Sequence, residues 1–80
     1  MEELDKIREK IDAIDKIVAK LLVARFLLCI QTRSFKKSLR DRRRESEILQ
    51  SVQNNNPAHK SSLKKIFKKI IKESVCLQKK

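Results

Sequence analysis

The chain has 80 residues, and its 21 Lys and Arg outnumber its 10 Asp and Glu to give a formal net charge of +11. Eighty residues suffice for only one domain, and a chain this short buries too little surface to be comfortably stable alone. The sequence has no Gly, one Pro, and no Trp or Tyr, which leaves little material for strands or tight turns. We therefore predict a single all-α domain over residues 1–80, with a partner chain.

The positive charge predicts an anionic partner, which could be nucleic acid, an acidic membrane surface or a small polyanion. Cys29 and Cys76 lack CxxC and metal-ligand spacing, and one His cannot complete a zinc set, so we expect free thiols and no metal. The start of the chain is charged, and no apolar run approaches the ~18 residues of a membrane span. We expect a cytoplasmic protein without a membrane partner.

Two breaks divide the predicted helical sequence. The stretch NNNPAH contains the clearer one, where Asn56 can cap a helix whose first residue is Pro57. The second follows Phe35, where the apolar period is interrupted and Ser38 could cap a helix with Asp41 in its first turn. The breaks predict helices over residues 2–36, 40–53 and 57–79, and a single helix over residues 2–53 is the alternative.

The first predicted helix carries a seam of residues spaced alternately by three and four, which is typical of a coiled coil. It would be ~50 Å long, about twice the ~25 Å diameter of a compact globule of this size. A second copy of the chain is the simplest partner of matching length, so we expect a homodimer. The seam consists of Leu4, Ile7, Ile11, Ile14, Val18, Leu21, Arg25, Leu28, Thr32 and Phe35.

The inward stripe of each helix becomes polar over part of its length. In the first helix, Arg25 occupies the seam, where a buried guanidinium must be paired locally or bind an anion. In the second, the stripe extended backwards reaches Asp41, Arg44 and Glu45, which share one face. In the third, Ser74 and Gln78 lie one turn apart on the stripe. The agreement of three helices favours one buried polar pocket over three unrelated solvated or packing features.

Two further cations of the first helix, Lys36 and Arg8, are candidates for this pocket. Arg25 and Lys36 are 11 residues apart, which leaves only ~20° between their directions. Their backbones are ~16 Å apart, so the two long side chains can converge on a small ligand. Arg8 lies ~25 Å from Arg25 along the axis. We therefore expect Arg8 to reach the pocket only from another subunit.

In this order and at this helical spacing, the residues resemble the all-α (AroQ-class) chorismate mutases over nearly the whole chain. The resemblance implies an intertwined homodimer with two sites, each completed by an arginine from the partner's first helix. The matching stretches are IREKIDAID from Ile7 to Asp15, VAR ending at Arg25, Lys36, RDRRRESEIL from Arg40 to Leu49 and IFKKIIKESVCLQ from Ile66 to Gln78.

The resemblance also implies a reaction, the intramolecular rearrangement of the dianion chorismate to prephenate, on the route to phenylalanine and tyrosine. This pericyclic reaction needs no nucleophile, metal or cofactor. The implied catalytic residues are Lys36, Gln78, Arg25 and Glu45. The resemblance implies that Arg25 and Arg8 of the partner subunit clamp the two carboxylates. Lys36 and Gln78 would donate hydrogen bonds to the ether oxygen, and Glu45 would accept one from the ring hydroxyl. The walls of the site would include Asp41, Arg44 and Ser74.

The sequence departs from the family in places and leaves alternatives open. The connection from Lys36 to Asp41 is short and lacks the customary Pro, and Arg43 replaces an acidic residue. Within the same fold, an isochorismate-pyruvate lyase would use a similar cationic pocket. A basic helical dimer could instead bind nucleic acid through the lysines of the third helix. Most of these lysines fall on its outward side and no aromatic residues interleave for base stacking, so we expect no nucleic acid partner.

Overall fold

The computed structural model describes residues 1–35, 38 and 40–79 of the chain. Within these residues there is no strand, and none of the helices is long and apolar enough to cross a membrane. The predicted all-α fold is confirmed. The elements are α1 (Glu2–Thr32), a 3-10 helix (Arg33–Phe35), α2 (Arg42–Asn55), a second 3-10 helix (Pro57–His59) and α3 (Lys60–Gln78).

Helix α1 is long compared with the rest of the chain. It runs for 31 residues, which corresponds to ~46 Å, and the chain measures 54 × 28 × 15 Å along its principal axes. Every residue from 1 to 21 is exposed, and half-buried positions begin at Leu22. The other described residues therefore bury no position in the first two thirds of α1. The helix ends at Thr32, earlier than predicted, because the last predicted turn tightens into the 3-10 helix.

The break before α2 is real, but its capping residue differs from the prediction. Asp41, expected inside the first turn, is itself the N-cap, and its Oδ1 accepts a hydrogen bond of 3.0 Å from the Arg44 amide. The Ser38 hydroxyl donates instead to the Arg40 carbonyl at 2.6 Å. Asp and Ser are comparable caps, and the Asp carboxylate also complements the positive helix end. The alternative of one helix over residues 2–53 is wrong.

The second break also differs in detail. Asn56 precedes the 3-10 helix that begins at Pro57, but its side chain makes no cap hydrogen bond there. Its Nδ2 donates to the Val52 carbonyl at 2.9 Å, which satisfies one of the orphan carbonyls at the end of α2. The chain makes one 3-10 turn first, and α3 begins at Lys60.

Helix α3 packs against both α1 and α2 and forms the centre of the chain. Of the described residues, only Ile71, Ser74 and Gln78 are buried, with 6%, 3% and 5% of their surface exposed. Ile66, nearer the start of α3, is 55% exposed and is not covered by the other described residues. Two of the three buried residues are polar. The buried part of α3 therefore resembles the wall of a cavity more than it resembles an apolar core.

Candidate active site

A cavity of ≈ 430 Å³ lies between the three helices. Its volume falls in the range of ~300–1,000 Å³ that is usual for small-molecule sites. Six of the eight residues predicted for the site line it, namely Arg25, Asp41, Arg44, Glu45, Ser74 and Gln78. The remaining walls are largely apolar and consist of Leu28, Cys29, Thr32, Phe35, Ile48, Ile71 and Val75.

Arg25 brings a cation from α1 into this cavity. Its Nη1 donates a hydrogen bond of 2.9 Å to Ser74 Oγ and lies 3.6 Å from Cys29 Sγ. The Ser74 hydroxyl in turn donates to the Ile70 carbonyl at 2.8 Å, so its oxygen is left to accept from the guanidinium. None of the ion pairs found within the described residues involves Arg25. A seam arginine that is oriented but not neutralised is suited to bind an anion.

Glu45 supplies the opposite charge from α2. Arg40 donates to both of its carboxylate oxygens, from Nε to Oε2 at 3.1 Å and from Nη2 to Oε1 at 2.5 Å. These hydrogen bonds lower the pKa of Glu45, and partial burial opposes them. The carboxylate is therefore ionised at neutral pH and can only accept hydrogen bonds. The sequence did not predict Arg40 as a residue that contacts the site. Its contact with Glu45 joins positions five residues apart across the start of α2.

Arg44 and Asp41 stand at the rim of the cavity. The Arg44 side chain is 67% exposed, and its Nη1 lies 3.7 Å from Glu47 Oε2. Asp41 is held by its capping bond to the Arg44 amide, so its backbone is fixed beside the cavity. Arg43 is 92% exposed and pairs with Glu47 at 3.5 Å, as expected of a residue on the outer face.

Gln78 closes the cavity from the last turn of α3. Its side-chain Oε1 is buried and has no hydrogen-bond partner among the described residues. Arg33 Nη1 donates to its backbone carbonyl at 3.3 Å, which ties the end of α3 to the end of α1. Leaving a buried acceptor unpaired costs about 1–3 kcal/mol, so Oε1 is suited to accept a hydrogen bond from a donor that is not among the described residues.

The other two predicted site residues are Lys36 and Arg8. Lys36 lies outside the described residues. Arg8 is exposed on the first part of α1 and does not line the cavity, from which ~25 Å of helix separates it. One chain therefore brings together cationic, anionic and amide groups in a partly apolar cavity. Within the described residues, no three His, Cys, Asp or Glu side chains are grouped so that they could hold a metal.

Comparison with known protein families gives a match over most of the chain. The family model described as chorismate mutase type II matches residues 7–79. This range contains all eight predicted site residues, from Arg8 to Gln78. No curated protein and no solved structure matches the chain.

Proposed function

The chain belongs to the chorismate mutase type II family, a family of isomerases, and we propose that it rearranges chorismate to prephenate in the cavity between α1, α2 and α3. The observation that carries this proposal is the convergence of six predicted site residues from three helices on one small cavity. In the reaction, an ether C–O bond breaks while a C–C bond forms within the same molecule. Confinement of the reactive conformer and preorganised electrostatics are sufficient to accelerate such a step.

The charges of the cavity suit a dianion that also carries a hydroxyl group. Arg25 projects from α1 and is held at 2.9 Å by Ser74, so its remaining N–H groups can bind a carboxylate in a planar, two-point arrangement. Glu45 is anionic and accepts hydrogen bonds only, and we assign it the ring hydroxyl. With Arg25 and Glu45 in these roles, the substrate is bound with one orientation across the cavity.

The developing charge on the ether oxygen requires hydrogen-bond donors, and we assign this role to Gln78 and Lys36. Gln78 is 5% exposed and lines the cavity. An amide N–H donates at any pH, whereas a carboxylic acid would have to be protonated. A donor held in a site of low dielectric contributes most where charge builds up in the transition state.

A homodimer would complete both the fold and the site. The exposed seam of α1 includes Ile7, Ile11 and Ile14, which are 55%, 49% and 58% exposed in one chain. A continuous apolar stripe of this length is typical of a helix that packs against an equally long partner. In such a dimer, Arg8 of the partner subunit would clamp the second carboxylate.

The direct test is to incubate purified protein with chorismate and to follow the loss of chorismate and the formation of prephenate. We expect turnover by the wild-type protein without added metal or cofactor. Isochorismate is assayed in parallel, because a pyruvate lyase of the same fold would release pyruvate from it. Turnover of isochorismate alone, or of neither compound, would contradict the proposed function.

A further inference from the structure

Arg40 forms a two-point ion pair with Glu45 from outside the cavity. The pair joins Nε to Oε2 at 3.1 Å and Nη2 to Oε1 at 2.5 Å. The Arg40 side chain is 47% exposed and that of Glu45 is 17% exposed. Arg40 is not among the residues that line the cavity, whereas Glu45 is. The ion pair therefore runs from the protein surface to the cavity wall.

We propose that Arg40 is a positioning residue, which holds the Glu45 carboxylate in place as the hydrogen-bond acceptor for a ligand hydroxyl. The identity of that ligand rests on the proposed function, but the ion pair itself does not. Each carboxylate oxygen uses one lone pair for Arg40 and retains another. Glu45 can therefore accept from a ligand while both of its oxygens stay anchored. A planar guanidinium fork fixes the plane of the carboxylate as well as its distance.

The local structure keeps Arg40 in position for this role. Arg40 precedes α2 and is not helical, so its side chain approaches Glu45 from beyond the helix start. The Ser38 hydroxyl donates to its carbonyl at 2.6 Å. Asp41, the next residue, is fixed by its bond to the Arg44 amide. These two hydrogen bonds between side chains and backbone hold Arg40 and Asp41 at the entry to α2.

The charges around Glu45 show why Arg40 has the dominant influence. The hydrogen bond from Arg40 is the largest cause of the lowered Glu45 pKa. The positive charge of Arg42 also lowers this pKa, whereas burial and the negative charge of Asp41 raise it. From α1, Arg25 lines the same cavity but donates to Ser74. From α3, the lining residues are uncharged: Ile71, Ser74, Val75 and Gln78. Removing Arg40 should therefore leave Glu45 with burial as its main perturbation and raise its pKa.

The first test measures the Glu45 carboxylate directly, by following its ¹³C chemical shift during acid titration in wild type, Arg40→Gln and Arg43→Gln. Arg43 is the matched control, since it is 92% exposed and pairs with Glu47. We expect the Glu45 pKa to rise in Arg40→Gln and to stay unchanged in Arg43→Gln. An unchanged pKa in Arg40→Gln would overturn the proposal. This readout needs no substrate, so it remains informative even if chorismate is not turned over.

The second test asks whether Arg40 acts through Glu45. We expect Arg40→Gln to lower kcat/KM for chorismate roughly three- to tenfold in the wild-type background, as for a partly exposed charged pair. In a Glu45→Gln background, we expect Arg40→Gln to lower kcat/KM by less than about twofold, because the carboxylate that Arg40 holds is already absent. Equal losses in the two backgrounds would overturn the proposal. Arg40→Lys keeps the charge without the fork, and we expect an intermediate loss.

Failure of the proposed function is distinguishable from failure of this inference. A wild-type protein that does not turn over chorismate would contradict the function, while the titration would still decide whether Arg40 controls Glu45. Circular dichroism of each variant checks that α2 is retained. If Arg40→Gln does not fold, Arg40→Lys carries the same two measurements. If Arg40→Lys then has the Glu45 pKa of wild type and undiminished activity, a two-point ion pair is not required and the proposal is overturned.

Discussion

The Arg25 guanidinium on α1 and the Ser74 hydroxyl on α3 are joined by a hydrogen bond of 2.9 Å at the wall of the cavity. Ser74 is 3% exposed and donates its own proton to the Ile70 carbonyl. The guanidinium is therefore oriented by a neutral acceptor that does not cancel its charge. This arrangement keeps a cation available for an anionic ligand without the cost of reorienting it during binding.

Replacement of Ser74 by Ala tests that relationship. The variant removes the acceptor but keeps Arg25, so we expect kcat/KM for chorismate to fall at least about tenfold, because a hydrogen bond to a charged group contributes about 1.5–3 kcal/mol. Ser62→Ala is the control, because Ser62 is exposed near the start of the same helix. Steady-state kinetics with both variants provide the measurement. Undiminished activity in Ser74→Ala would show that Arg25 does not depend on this bond.

The lowered pKa of Glu45 predicts how stability depends on pH. The pKa of Glu45 is lower in the folded chain than in the unfolded chain. Between these two pKa values, the unfolded chain therefore binds more protons. The ion pair stabilises the fold fully only when the pH is above the unfolded pKa. We expect the difference in free energy of unfolding between wild type and Glu45→Gln to be constant near neutral pH. It should shrink as the pH falls through the folded pKa of Glu45. Urea titrations from pH 7 to pH 3 measure it, and a difference that grows on acidification would be inconsistent with the ion pair.

The dimer interface on α1 can be tested with a charge placed in the seam. Ile14→Asp puts a carboxylate on the stripe, whereas Lys16→Asp puts the same group ~160° away on the helix. Burying an unpaired carboxylate is costly, so we expect Ile14→Asp to be monomeric and to lose most of its activity. Lys16→Asp should behave like wild type. Mass in solution by light scattering distinguishes the outcomes, and a dimeric Ile14→Asp protein would place the interface elsewhere.

Sharing of the site between subunits predicts complementation. In a mixed dimer of Arg8→Ala and Arg25→Ala chains, one site carries both substitutions and the other carries neither. Random exchange makes about half of the dimers mixed, so we expect recovery of about one quarter of wild-type activity from two inactive parents. The assay follows chorismate loss before and after subunit exchange. Activity that stays at the parental level would argue that Arg8 does not act across the interface.

Helical spacing made much of this architecture predictable. The seam of α1 and the positions of Asp41, Arg44 and Glu45 follow from residue periodicity, which one sequence displays directly. The helix starts were less predictable, because Ser38, Asp41 and Asn56 are all competent capping residues. Their use depends on which backbone groups lie within reach in three dimensions.

The two arginines that hold site residues in place were not predictable in the same way. Arg33 contacts the Gln78 carbonyl across 45 positions of sequence, and Arg40 reaches Glu45 across a helix start. Neither contact follows a helical period, and both arginines lie in a chain already rich in cations. In sequence alone they are indistinguishable from solubilising charges.

The most direct test of the proposed function is kcat/KM for conversion of chorismate to prephenate by wild type and by Arg25→Ala, with the exposed Arg43→Ala as control. Removing a preorganised charge from the site should lower kcat/KM by at least ~10²-fold, with helicity and mass in solution unchanged and Arg43→Ala near wild type. Near-wild-type turnover by Arg25→Ala would contradict a reaction centred on the cavity between α1, α2 and α3.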